Sequence, residues 1–203
     1  MLDALGPSHW WPAATPFEVA VGAVLTQNTN WGNVERAIAN LKAGGDFEVR
    51  ALAALPDEVL AERIRPAGYF RLKARRLKNL LAMLVRECDG DITRLAGQDM
   101  ETIRGKLLAV SGVGPETADS ILLYALGYPS FVVDAYTARI CQRHGLTPED
   151  AGYEELRTFF MDGLPDDVSL YNEFHALLVR VGNAWCRPRT PQCRECPLER
   201  FLP

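Results

Sequence analysis

At 203 residues, with 48% hydrophobic and 24% charged side chains, the chain has the composition of an ordinary globular protein. It is long enough for one sizeable domain or two small ones without disulfide staples. Its net charge of −4 argues against a uniformly basic nucleic-acid binder, although charge distribution matters more than the sum. No apolar run approaches membrane-spanning length, and the N-terminus lacks a basic region followed by an apolar stretch, so a cytoplasmic protein is expected.

The chain reads as all-α. Apolar residues at helical spacing appear near 17–28, 33–42, 57–64, 70–87, 99–109, 115–127, 135–144, 153–161 and 168–184. Breaks fall at Gly44-Gly45, Pro56, Pro66-Ala67-Gly68, Gly90, Gly112, Gly127-Tyr128-Pro129, Gly145 and Gly163. The helix over 70–87 sets Leu72, Leu77, Leu80, Leu81 and Leu84 on a packing stripe beside Arg71, Arg75 and Lys78. With Arg63, Arg65, Lys73 and Arg76, these bases fall within sixteen residues and predict one basic face on an acidic protein. Phe131-Val132-Val133 is too isolated to make a sheet.

Residues 107–140 carry the most information. A helix end meets Gly112-Val113-Gly114, and a second helix starts at once. Such a hairpin exposes backbone N–H groups at a helix N-terminus, a natural seat for a phosphate oxygen. Asp134, about twenty residues on, suits the N-cap of the helix beginning at Ala135 and could also act on whatever that phosphate delivers. Cys186, Cys193 and Cys196 form C-x6-C-x2-C in a Pro- and Arg-rich loop, a pattern of metal or cluster ligation in a reducing compartment. Cys88 and Cys141 sit in helical patterns and read as core.

The order of hairpin, aspartate and cysteine loop resembles the endonuclease III superfamily of helix-hairpin-helix DNA glycosylases. The likeness runs from Trp10-Trp11-Pro12 and Gly22-Ala23-Val24-Leu25-Thr26-Gln27-Asn28-Thr29 through Arg65-Pro66-Ala67-Gly68-Tyr69 to Cys196, nearly the whole chain. The N-terminal motifs look most like the 3-methyladenine glycosylase branch. The resemblance implies a six-helix lobe over 16–128, with the hairpin at about 107–127, and a lobe formed by 1–15 and 129–203, with a DNA cleft between them.

It further implies that Asp134 is the catalytic carboxylate. Glu116 stands where strand-cutting members carry a lysine that attacks the sugar. A carboxylate cannot form an imine, so a monofunctional glycosylase with absent or weak lyase activity is expected. Glu116 is kept as a second candidate catalytic residue, although it also suits a first-turn acid. By the same resemblance Trp10 and Trp31 sandwich the flipped base and Pro12 shapes its pocket. Gln27 fills the gap left in the duplex and Tyr69 wedges the opposite strand. Gly112, Val113 and Gly114, with Arg71 and Arg75, meet the DNA backbone.

Cys186, Cys193 and Cys196 match the family's [4Fe–4S] pattern C-x6-C-x2-C-x5-C, with Leu202 at the fourth position of the loop 186–202. A retained cluster is expected, among Arg187, Arg189 and Arg194; zinc with a partner such as His175 is the other metal reading. The expected partner is double-stranded DNA carrying a damaged, alkylated base, met by a monomer at the nucleoid. Oxidised pyrimidines, mismatched bases, or DNA binding without catalysis are the alternatives.

Overall fold

Helix starts are written locally in this chain. Thr15, Asn30, Asp99, Asp134 and Asp167 each accept a hydrogen bond from the N–H three residues on, at 2.7–3.1 Å. Each such cap contributes about 1 kcal/mol. The computed structural model describes residues 1–8, 10, 13–45 and 47–203. Among these lie α1 (Leu2–Leu5), α2 (Pro16–Leu25), α3 (Trp31–Ala43), α4 (Val49–Ala54), α5 (Asp57–Arg63), α6 (Phe70–Cys88), α7 (Met100–Leu108), α8 (Pro115–Ser120), α9 (Ala135–Arg143), α10 (Tyr153–Gly163) and α11 (Val168–Ala184). No strand occurs among the described residues, and the all-α expectation holds.

The chain divides into two compact units, Ala13–Tyr128 and Met1–Pro12 with Pro129–Pro203. The first unit holds α2 to α8, seven helical segments rather than six. Helix α4 escapes the periodicity because its six residues bury only Val49 and Leu52, too few to show a repeat. Helix α2 is buried almost all round, with Ala20, Val21, Val24 and Leu25 at 0% exposure, and α6 packs Ala74, Leu77, Leu80, Leu81 and Leu84 into the same core. Leu72, assigned to that stripe from sequence, is instead exposed. The single helix expected over 115–127 changes at Ile121 into a π-helical turn over Ile121–Ala125, closed by Leu126 N–H on the Ile121 carbonyl at 3.1 Å.

The basic face is thinner than the sequence suggests. Lys73 is buried, its Nζ donating to the carbonyls of Leu25 at 2.8 Å and Ala67 at 2.7 Å. Lys78 bonds the Ala53 and Leu55 carbonyls, and Arg65 pairs with Glu62 at 2.6 Å. Arg71 and Arg75 do remain exposed.

In the second unit, Phe131 stacks on Phe160 with centroids 4.1 Å apart and meets Tyr171 edge-on at 5.4 Å. This aromatic cluster buries the extended run 131–133 that leads into Asp134. Helices α9 and α11 pack closely: a Cβ on Gly182 would stand 2.5 Å from Tyr136. The N-terminal segment is stitched to α11 by Arg180, which donates to the Leu5 and Gly6 carbonyls, and by Ser8, whose N–H and hydroxyl reach Glu173 at 2.8 and 2.7 Å.

Burial, reinforced by the nearby charge of Arg76, lowers Lys73 from 10.5 to about 8. Between those values the unfolded chain holds a proton that the folded chain lacks, so this group adds stability as pH rises through the window. The stability of wild type relative to Lys73→Met should therefore increase from pH 8 to 10.5. Denaturant melts of both proteins across that range check it; a flat difference contradicts it.

Candidate functional site

The hairpin is built around Gly112. Its φ of 97° is left-handed, and a Cβ there would lie 2.3 Å from Arg76 Cγ, so only glycine satisfies both the backbone and the contact. Arg76 donates to Gln27 Oε1, and Gln27 Nε2 donates to the Gly112 carbonyl at 3.1 Å and to Thr117 Oγ1 at 3.0 Å. Gln27, expected to fill a gap in DNA, here ties the end of α2 to the hairpin. Below it, Arg104 Nε and Nη2 donate to Asp119 Oδ1 and Oδ2 at 2.8 and 3.1 Å, a buried fork that clamps α7 against α8. Val113 is buried, whereas Gly114 caps α8 with no side-chain bond to its first amides.

Asp134 sits at the start of α9 in the other unit. Its Oδ1 accepts from Thr137 N–H at 2.7 Å, and its Oδ2 lies 3.7 Å from Nε2 of the buried His175 on α11. Burial by itself raises the Asp134 carboxyl; the nearby His175 imidazole and the Thr137 amide outweigh it and hold the group below its ordinary value. The carboxylate is therefore ionised at neutral pH, with one oxygen committed to the cap. Sequence reading had offered His175 as a zinc partner for the cysteines. The structure corrects this, because the imidazole faces Asp134. The signal was its place inside the periodic pattern of 168–184, which marks it as inward.

The remaining candidates fall in both units. Glu116 is exposed in the first turn of α8, and Arg71 and Arg75 are exposed on α6. Tyr69 is 72% exposed and follows Gly68 with a left-handed φ of 46°, an unfavourable conformation for a tyrosine that costs about 1 kcal/mol. Trp31 opens α3, half-buried against the core of its unit, with Nε1 donating to Glu35 at 2.9 Å. Trp10 is half-buried in the terminal unit. Pro12 lies outside the described residues.

Cys186, Cys193 and Cys196 line one small cavity together with Arg143, His144 and Leu202. Arg143 donates to Cys186 Sγ at 3.2 Å and to the Arg187 and Pro188 carbonyls at 2.8 Å. Burial raises the Cys196 thiol, and the neighbouring Cys186, Cys193 and Glu199 add to it. No three of the described His, Cys, Asp and Glu side chains converge as a single metal ion requires. Sulfurs spread around one cavity suit a polynuclear cluster, in which each iron takes its own thiolate. Cys88 and Cys141 are buried elsewhere, and burial pushes the Cys141 thiol up to about 11.

Residues 21–166 match the family described as the HhH-GPD superfamily base excision DNA repair protein. The chain belongs to that family. Membership makes it a DNA glycosylase of the base excision repair type. A protein of Methanocaldococcus jannaschii, provisionally named a DNA repair glycosylase, is 48% identical over 99% of this chain and 91% of its own length. Endonuclease III of Thermotoga maritima is 32% identical over 91% of this chain and 81% of its own length. An endonuclease III in a non-covalent complex with DNA superposes with a TM-score of 0.85 at 27% identity, covering 99% and 89% of the two chains. The 3-methyladenine DNA glycosylase of H. pylori, bound to 1,N6-ethenoadenine, superposes with a TM-score of 0.76 at 31% identity, covering 90% and 91%.

Replacing His175 by leucine removes the imidazole that helps to lower the Asp134 carboxyl while leaving its burial and the Thr137 amide. The Asp134 carboxyl should then titrate at higher pH than in wild type. Carboxyl-carbon NMR titration checks this, and an unmoved resonance refutes the pairing.

Proposed function

We propose that this HhH-GPD protein is a monofunctional DNA N-glycosylase that removes an alkylated, 3-methyladenine-like base and leaves an uncut abasic site. The observation that carries the reading is Asp134: an ionised, largely buried carboxylate with one oxygen held by the capping bond and the other 3.7 Å from His175 Nε2. As the glycosidic bond breaks, its electron pair leaves with the base and positive charge grows on the sugar. The Asp134 carboxylate stabilises that charge, orients a water and accepts its proton as the water oxygen bonds to the anomeric carbon.

Glu116 in place of an amine supports the monofunctional part of the reading. The four lysines are engaged elsewhere: Lys42 with Glu18, Lys73 and Lys78 with backbone carbonyls, and Lys106 with Glu87. A cationic alkylated purine is itself a good leaving group, so a carboxylate and water suffice. Tryptophan faces attract such a cation beyond simple stacking, a role this reading assigns to Trp10 and Trp31. The hairpin Gly112-Val113-Gly114 would hold a DNA phosphate on its amides, Tyr69 would wedge the duplex, Gln27 would fill the vacated stack, and Arg71 and Arg75 would supply positive charge. For Gln27 this requires release from Gly112, Thr117 and Arg76.

Cys186, Cys193 and Cys196 would hold an iron–sulfur cluster, which when bound cross-links the C-terminal loop. Double-stranded DNA with a damaged base is the partner, met by a monomer.

Duplexes carrying one alkylated purine, one oxidised pyrimidine or one mismatch test the substrate. Strand breaks that appear only after alkali, and with the alkylated duplex, support the proposal. Breaks with the oxidised pyrimidine would instead favour an endonuclease III-like specificity. Asp134→Asn should lower excision at least about 100-fold while DNA affinity is kept. Borohydride should trap no covalent complex with abasic DNA; a trapped adduct would overturn the monofunctional assignment.

A further inference from the structure

In a [4Fe–4S] cubane each iron takes one ligand from outside the core, and the three cysteines leave one iron without a thiolate. The side chain at the loop position where a fourth thiolate would be expected, Leu202, cannot ligate. We propose that His144 is the fourth ligand, making a three-cysteine, one-histidine site; this rests on the cluster reading given above.

Two observations converge on His144. It lines the same cavity as Cys186, Cys193 and Cys196. Its Nδ1 lies 3.0 Å from the Phe201 carbonyl, which fastens the ring to the residue directly before Leu202. A carbonyl only accepts, so Nδ1 is the donor in this contact and Nε2 is the nitrogen left for a ligand. A ligating histidine usually shows this arrangement, with the second nitrogen donating to a carbonyl or carboxylate that fixes the ring and raises its basicity.

Position along the chain adds to this. His144 caps the C-terminus of α9, one residue after Arg143, whose guanidinium already reaches Cys186 Sγ. The end of one helix thus supplies a ligand and a charge-assisted hydrogen bond to another ligand. Of the chain's three histidines, His175 is committed to Asp134. Glu199 also lines the cavity, but its side chain is exposed to solvent.

The full-length protein, prepared and reconstituted with iron and sulfide under anaerobic conditions, gives the test. Pulsed EPR of the paramagnetic cluster should show nitrogen hyperfine coupling that changes when histidine is isotopically labelled. His144→Cys should keep its iron and sulfide, lose that coupling and show a lower reduction potential, as expected when thiolate replaces imidazole. Leu202→Cys offers a thiolate that competes for the same iron, so the coupling should weaken or vanish with the cluster intact. His144→Ala should lose iron to a chelator at least about tenfold faster, and Glu199→Gln should behave as wild type. A cluster with no nitrogen coupling, or coupling that persists in His144→Cys, overturns the ligand assignment and leaves the cluster reading standing. Wild-type protein that holds no iron or acid-labile sulfide overturns both.

Discussion

The close packing of α9 on α11 is the constraint on which the terminal unit depends. Gly182 lets the Tyr136 ring approach within a distance that any side chain would block, and Arg139 binds the pair further by donating to the Gly182 and Cys186 carbonyls. At one end of α9 the pair brings Asp134 to His175; at the other it brings Arg143 and His144 to the cysteine loop. Ten residues at 1.5 Å each put about 15 Å between the two ends. A rigid helix therefore links the carboxylate to the cysteine cavity, and whatever fastens the loop also fixes the pitch of the helix that Asp134 caps.

The aspartate shows how one bond can serve structure and chemistry together. Capping α9 satisfies an amide that the helix leaves unpaired, and it also stops the carboxylate from rotating. Burial alone raises the carboxyl, and an imidazole and an amide outweigh that effect and favour the negative charge. Charge held in a poorly solvated place interacts more strongly with a developing cation than the same charge in water.

In the helical unit the corresponding device is the network around Gly112. A left-handed glycine, an arginine folded over it and a glutamine reaching back from α2 hold the hairpin before any ligand arrives. The buried Arg104–Asp119 fork fixes the helices on either side. Preorganisation of this kind lowers the ordering cost of binding.

Much of this was legible in the sequence because it is local. Helical periodicity, the cap at Asp134, the glycine hairpin and the cysteine spacing each depend on residues within a few positions of one another. What tertiary structure decided is which side chains meet across long separations. Lys73 reads as part of a basic face, yet it points inward because the carbonyls of Leu25 and Ala67 lie within reach of its amine. His175 turns to Asp134 and His144 lines the cysteine cavity, an allocation fixed by how α9 packs on α11. The spacing of residues along a chain carries no record of that arrangement, because it is set by packing two helices on a shared face.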